Sequence, residues 1–324
     1  MVATASGYFQ ASRVVGSFEV YNKEKGDTSS QTLKVRKSYH DGADNRRKEQ
    51  RTHMRTVIAT GGLELRNTEG PRALLEALSH AMIGYLNVFR KGWQPCAVSN
   101  GNIMLVAEFD VRNCPADDEV HAFGLEYCSG VLTDGDQAIK WKGEQERATR
   151  RSGTLPFISV ALLVSWSLSE PSFHTALDDF ESFVWVFVWE LLHKGASLKR
   201  LSARDSFTLK RLKGHSPANL SETKGLFAFN CREKDRVTFK DSFLSPFLAV
   251  LSQWFTLVKQ TNDEIFELKE QELGRSESDR AGLVQDLAQM EALCLEAGRK
   301  LIRIGLEHLP QLDESWPAPL DPHV

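Results

Sequence analysis

Two loop residues with oxygen-bearing side chains are the first candidates for chemistry. Asn102 closes the stretch Val98-Ser99-Asn100-Gly101-Asn102-Ile103, and Asp134 heads Asp134-Gly135-Asp136. On residue type alone, metal ligation is the minor reading of either side chain. Each also has a plainer reading: Asn102 as a loop residue bonding backbone, and Asp134 as a turn former, since Asp-Gly is a common turn signal. Other chemistries find less support. Ser152 and Ser159 lack the GxSxG elbow that a hydrolase nucleophile needs. His121, His174 and His193 are scattered without metal-ligand spacing and read as ordinary. The cysteines Cys96, Cys114, Cys128, Cys231 and Cys294 are odd in number and contain no CxxC pair, which argues against a disulfide or zinc framework. The basic run Arg46, Arg47, Lys48, Arg51 and Arg55 reads as a solvated face.

The elements that must position such residues are strongly patterned. Residues 180–192 carry Phe180, Phe183, Val184, Trp185, Val186, Phe187, Val188, Trp189, Leu191 and Leu192. Apolar nearly all round, this helix must be buried in a large domain, and it is too short for a bilayer, which needs about 20 residues. Asp178 and Asp179 open it, where acids can cap free N–H groups and meet the positive end of the dipole. Residues 69–91 place Leu74, Leu75, Leu78, Met82, Tyr85, Leu86 and Phe89 at helical spacing behind Pro71. Two more amphipathic helices are predicted over 247–268 and 279–308, with Ser276 and Asp279 resembling a capping box. Strands are predicted over 13–21, 31–35, 54–60, 103–109 and 129–133, a surface insertion over 110–120, and buried loop and helix over the uncharged run 152–169. Residues 195–242 mix helix-like and loop segments.

At this point the residues resemble those of the fungal-type protein kinases. Four stretches match that family's motifs in order. They are Val98-Ser99-Asn100-Gly101-Asn102-Ile103, Leu132-Thr133-Asp134-Gly135-Asp136-Gln137-Ala138, Arg151-Ser152-Gly153-Thr154-Leu155-Pro156-Phe157-Ile158-Ser159 and Asp178-Asp179-Phe180-Glu181-Ser182-Phe183. The resemblance implies an α+β, protein-kinase-like fold: a mainly helical large lobe with a reduced β-rich small lobe. It implies ATP-dependent phosphoryl transfer to protein Ser or Thr, with ATP and Mg2+ as cofactors and a protein as substrate or partner. In that chemistry the protein mostly positions groups and neutralises phosphate charge, with magnesium held by a loop Asn and a turn Asp. The matching positions here are Asn102 and Asp134. Asp179 would reach back to hold the catalytic-loop backbone, Gly153 and Thr154 would close the activation segment, and Ser99 would support the loop. Lys34 would be the phosphate-pairing lysine, behind a stretch, Val14-Val15-Gly16-Ser17-Phe18, that faintly resembles a glycine-rich loop.

The chain also departs from the pattern. Five residues before Asn102, where the family carries its base, stands Ala97, preceded by Pro95-Cys96. A methyl group accepts no proton, so no catalytic base is assigned. Gly135 replaces an aromatic, and Ala161 stands where a Glu would close the activation segment, so its usual buried ion pair cannot form. Only Glu49 is available near Lys34 as its partner. These departures predict an impaired or pseudokinase member; a scaffold that binds partners and no nucleotide is the alternative.

Bulk properties bound the rest. The chain has 324 residues, 41% hydrophobic and 26% charged, enough for a large core, and a formal net charge of −3. That charge gives no case for nucleic acid or an anionic membrane as principal partner. No secretory signal is read at the N-terminus, so an intracellular location, cytoplasmic or nuclear, is expected. The expected organisation is a truncated small-lobe and hinge region over 1–65, the large lobe over 66–310 and a loose tail over 311–324.

Overall fold

In the computed structural model the described residues are 14–19, 54–58, 62–110, 119–133, 138–141, 153–170, 173–233, 239–273 and 280–320. Strands β1 (Val14–Glu19) and β2 (Met54–Ile58) pair antiparallel, with Phe18 opposite Arg55 and an irregularity between Val14 and Gly16. This ribbon belongs to one compact unit, and the described residues from Gly62 onward belong to another. Lys34, Glu49 and Asp134 lie outside the described residues, as do the expected strand over 31–35 and the capping box at Ser276 and Asp279.

The second unit is organised around two helices. Helix α1 (Pro71–Arg90) starts on Pro71, whose missing N–H is harmless in a first turn. Its apolar stripe, including Leu75, Leu78, Met82, Tyr85 and Leu86, is fully buried. Strand β4 (Trp93–Gln94) follows and pairs with β7 (Ile139–Lys140). Strands β3 (Leu63–Glu64), β5 (Ile103–Asp110) and β6 (Tyr127–Leu132) form an antiparallel sheet in the order β3-β5-β6, with Ile103 opposite Leu132. The one-turn helix α2 (Glu119–Ala122) ends the segment expected to be a surface insertion. Glu119 is in fact buried. Its N–H bonds Asn87 Oδ1 at 2.9 Å, and its carboxylate takes both arms of the Arg299 guanidinium, at 3.1 and 2.6 Å, as well as Arg90. A buried carboxylate requires such partners.

Helix α3 (Val160–Leu168) is only half buried. Leu162 and Leu163 face inward, whereas Val164 is 41% and Leu168 60% exposed, so the uncharged run is less buried than its composition implied. Helix α4 (Ala176–Ser197) is the centre of the core. Phe180 meets Tyr85 edge-on at 4.8 Å, Trp185 meets Phe255 at 5.1 Å and Phe187 meets Trp254 at 5.5 Å. Each buried aromatic contributes about 1.5–3 kcal/mol by leaving water. Helices α5 (Ala203–Leu212), α6 (Pro217–Arg232), α7 (Leu248–Leu273) and α8 (Arg280–His308) complete the unit.

The tail expected to be loose is fastened as far as Leu320. Trp316 donates through its backbone N–H to Glu69 O at 3.3 Å and through Nε1 to Thr68 O at 2.8 Å. Arg200 Nε donates to Ala318 O at 2.6 Å and Leu320 N to Leu198 O at 3.0 Å, while the Lys194 ammonium lies 5.1 Å from the Trp316 ring. An aromatic ring with an N–H donor gives a proline-rich segment both area and direction. Among the described residues no helix is long and apolar enough to cross a membrane.

Candidate functional site

The start of α4 divides its two acids between different tasks. Thr175 is the N-cap: its backbone N–H and Oγ1–H donate to Asp178 Oδ2 at 2.7 and 2.8 Å, and its hydroxyl oxygen accepts from Asp178 N. This reciprocal box satisfies the helix end and leaves Asp179 to face the loop between β4 and β5. Asp179 Oδ2 accepts from Tyr85 Oη at 2.8 Å, Cys96 N at 3.2 Å and Gln94 Nε2 at 3.3 Å. Its Oδ1 lies 2.9 Å from His174 Nε2. Cys96 holds φ at 58°, a left-handed conformation that costs a non-glycine residue about 1–2 kcal/mol. The bond from its N–H to Asp179 is the restraint that keeps the loop there.

The electrostatics follow from that carboxylate. Burial alone would push the His174 imidazole down, but the charge and hydrogen bond of Asp179 outweigh it and hold the imidazole well above its usual range. Burial, reinforced by Asp179, raises the Tyr85 hydroxyl, and burial raises the Cys96 thiol. Both shifts favour the charged imidazole at the half-buried His174 and the neutral thiol at Cys96. Cys96, His174 and Asp179 bring metal-type donor atoms within 4.8 Å of one another. Both oxygens of Asp179 are already engaged, however, and the adjacent cavity of about 10 Å³ has room for about one water. This arrangement holds the loop.

Downstream, the loop is closed by Asn102, whose Nδ2 donates to Ala97 O at 2.7 Å while its N–H donates to Ser99 O at 3.0 Å. Nδ2 is thereby committed, leaving Oδ1 as the end of the amide not used in that bond. Thr133 N and Oγ1 donate to Asn102 O at 2.7 and 3.1 Å, tying the loop to the residue before Asp134. Asn100 Nδ2 donates to Glu190 Oε1 on α4 at 2.9 Å. Ser99 is buried and contributes its carbonyl, whereas Ala97 presents a half-buried methyl group.

The segment entering α3 is fixed separately. Gly153 takes φ of 116°, a conformation L side chains rarely adopt. Thr154 is exposed, and its carbonyl accepts from Phe157 N at 2.8 Å to close a short 3-10 turn. Ser159 caps α3 and donates to Asp178 Oδ1. Ala161, where an ion pair was expected to be lost, is exposed. Two other residues grip this segment. Glu181 Oε1 accepts from Val160 N at 3.0 Å and Trp185 Nε1 at 2.8 Å. The fully buried Lys224 donates to Ile158 O at 2.6 Å, with its ammonium 4.5 Å from the Trp185 ring. Burial pushes Lys224 down to about 7 against the pull of Glu181, and burial likewise raises Glu181.

Residues 4–191 match the family described as fungal protein kinase, a match over more than half the chain. The chain belongs to the fungal protein kinase family. Its fold is accordingly α+β and kinase-like, with a helical large lobe, and the match runs from before β1 through most of α4, taking in Ala97, Asn102 and Asp179. No curated protein matches the chain. Gln94 and Lys224 were not singled out by sequence, Tyr85 and Glu181 were named only within a helix stripe and a motif, and His174, read as ordinary, in fact lies 2.9 Å from Asp179 Oδ1. Only His174 carried a usable signal, as the residue just before a Thr N-cap.

Proposed function

We propose that this member of the fungal protein kinase family has kept the catalytic-loop architecture and lost efficient phosphoryl transfer, making it an impaired or pseudokinase form. One arrangement carries the reading: Asn102 fastens the carbonyl of residue 97, and Asp179 fastens the N–H of residue 96, around a side chain that is only a methyl. A base must stand within hydrogen-bond reach of the hydroxyl it deprotonates, and Ala97 has no acceptor. Asn102 and Asp134 are the residues that would hold magnesium with ATP, and bound magnesium would neutralise charge on the phosphates. The polypeptide acceptor would be a protein Ser or Thr, or, in a non-catalytic role, a protein partner.

Two measurements test this. With radiolabelled ATP, magnesium and a generic protein acceptor, the purified chain is expected to incorporate no label above background; robust incorporation overturns the reading of Ala97. In thermal unfolding, Mg·ATP at about ten times its dissociation constant should stabilise the chain by about 1.4 kcal/mol, and Asp134→Ala should abolish the effect. Absence of any shift at millimolar nucleotide removes the nucleotide pocket and leaves a scaffold that binds no nucleotide.

A further inference from the structure

On a part of the second unit that the candidate site does not use, α7 and α8 enclose an open groove of about 580 Å³, with the end of α6 at its border. That is within the size range of ligand-binding clefts. Its charge is one-sided. Arg232 from the last turn of α6 and Lys300 and Arg303 from α8 line it, against the single acid Glu307. Arg303 is exposed and makes no salt bridge among the described residues. Among the described residues Lys300 pairs with Glu296, one helical turn away, in an exposed pair of the kind that is readily exchanged. Leu257 and Ile304 give the groove apolar ground, and Thr256 and Gln260 add neutral polar groups.

We propose that this groove docks an acidic peptide segment of a protein partner. Arginine forks match carboxylates in a planar, two-bonded geometry, and two of the three cations are arginines. The apolar patch suits side chains interspersed among the acids. Three cations on a chain of net charge −3 do not suit a nucleic acid, whose affinity rests on many phosphate contacts. Glu307, four residues beyond Arg303, repels carboxylates at one end and so sets the register of the bound segment. The groove is separate from Ala97, Asn102 and Asp179, so docking there requires neither nucleotide nor catalysis.

Fluorescence anisotropy of a labelled Glu/Asp-rich peptide with interspersed leucines, titrated with the full chain, tests this. Saturable binding that weakens with salt is expected, together with a loss of at least about tenfold in Lys300→Glu/Arg303→Glu. The control Arg204→Glu/Lys210→Glu makes the same change of charge at exposed residues of α5 and should leave affinity within about twofold. If the double reversal melts below wild type, Lys300→Gln/Arg303→Gln serves instead, with the same direction expected. The proposal is overturned if the wild type does not bind, if the control weakens binding equally, if a Gln-rich peptide binds as well, or if millimolar inorganic phosphate displaces the peptide fully, which marks a simple anion site.

Discussion

Asp179→Ala tests whether one carboxylate holds the loop. The substitution strands three neutral donors, Tyr85 Oη, Gln94 Nε2 and Cys96 N, and removes the counter-ion of His174. A buried donor left without an acceptor costs about 1–3 kcal/mol, so three set a ceiling of about 9 kcal/mol. Relaxation of the loop and loss of the His174 proton reduce this, and breaking a buried ion pair from one side typically costs about 3–5 kcal/mol. We therefore expect a loss of about 3–5 kcal/mol, read from equilibrium unfolding in guanidinium at unchanged slope. Asp179→Asn should lose less, because its single carbonyl can face the three donors while its amide faces a neutral His174. The two proteins should also differ in pH response. The His174 pKa is raised in the folded state, so its contribution is fully present below about 6.5 and is lost as pH rises through the folded value. The stability gap between wild type and Asp179→Asn must then narrow at alkaline pH. A loss below about 1 kcal/mol for Asp179→Ala, or a gap that does not change with pH, refutes the account.

Four further outcomes concern two buried titratable groups and two helix glycines. Lys224 titrates at about 7 in the fold against 10.5 when free, so its burial is a cost present below pH 7 and lifted as pH rises to 10.5. Wild type should therefore gain on Lys224→Met between pH 7 and 9.5, as read from the difference in unfolding midpoints. Burial lowers His80 from 6.5 to about 4, so stability is intact above 6.5 and falls by up to about 3 kcal/mol as pH drops to 4; His80→Gln should lose that acid slope in denaturant titrations. A Cβ at Gly298 would lie 2.4 Å from the Phe180 ring, so Gly298→Ala should destabilise by about 1–3 kcal/mol through overpacking. Gly225→Ala, with nothing within 4 Å, should instead stabilise by up to about 1 kcal/mol from helix propensity, and calorimetry distinguishes the two signs.

What could be read from the chain depended on the range of the interaction. The apolar circumference of α4 and the stripe of α1 are local periodicities, and both helices appear within a few residues of the expected bounds. Asp179 was singled out because it belongs to a motif. Apart from His174, five residues away, its side-chain partners come from positions 85 and 94, and nothing in local spacing joins those to it. Lys224 is the plainest case: in sequence it is one more cation in a polar stretch, yet it is fully buried because a carbonyl and an indole ring lie at its end. The loss of a pairing position at Ala161 was legible, whereas the grip of Glu181 on Val160 N and of Lys224 on Ile158 O was not, since those contacts join positions 21 and 66 residues apart. The Pro-rich tail was misjudged for the same reason, as Trp316 finds its acceptors nearly 250 residues earlier, at Thr68 and Glu69.

That tail has a topological consequence. Arg72 N donates to Asp313 O at 3.3 Å, three residues along each segment from the contact of Trp316 with Glu69, so the chain entering α1 and the chain leaving α8 run side by side. The polypeptide of the second unit is thus nearly a closed ring in space, with a knot of hydrogen bonds where a covalent seam would be. A short linker from 320 to 66 could make that seam, and the linear order of the helices would then become a matter of where the ring is cut. Pulled from positions 66 and 320, the bonds of Leu320 to Leu198 and of Arg200 to Ala318 are loaded first and the knot after them, so the tail unzips from its end.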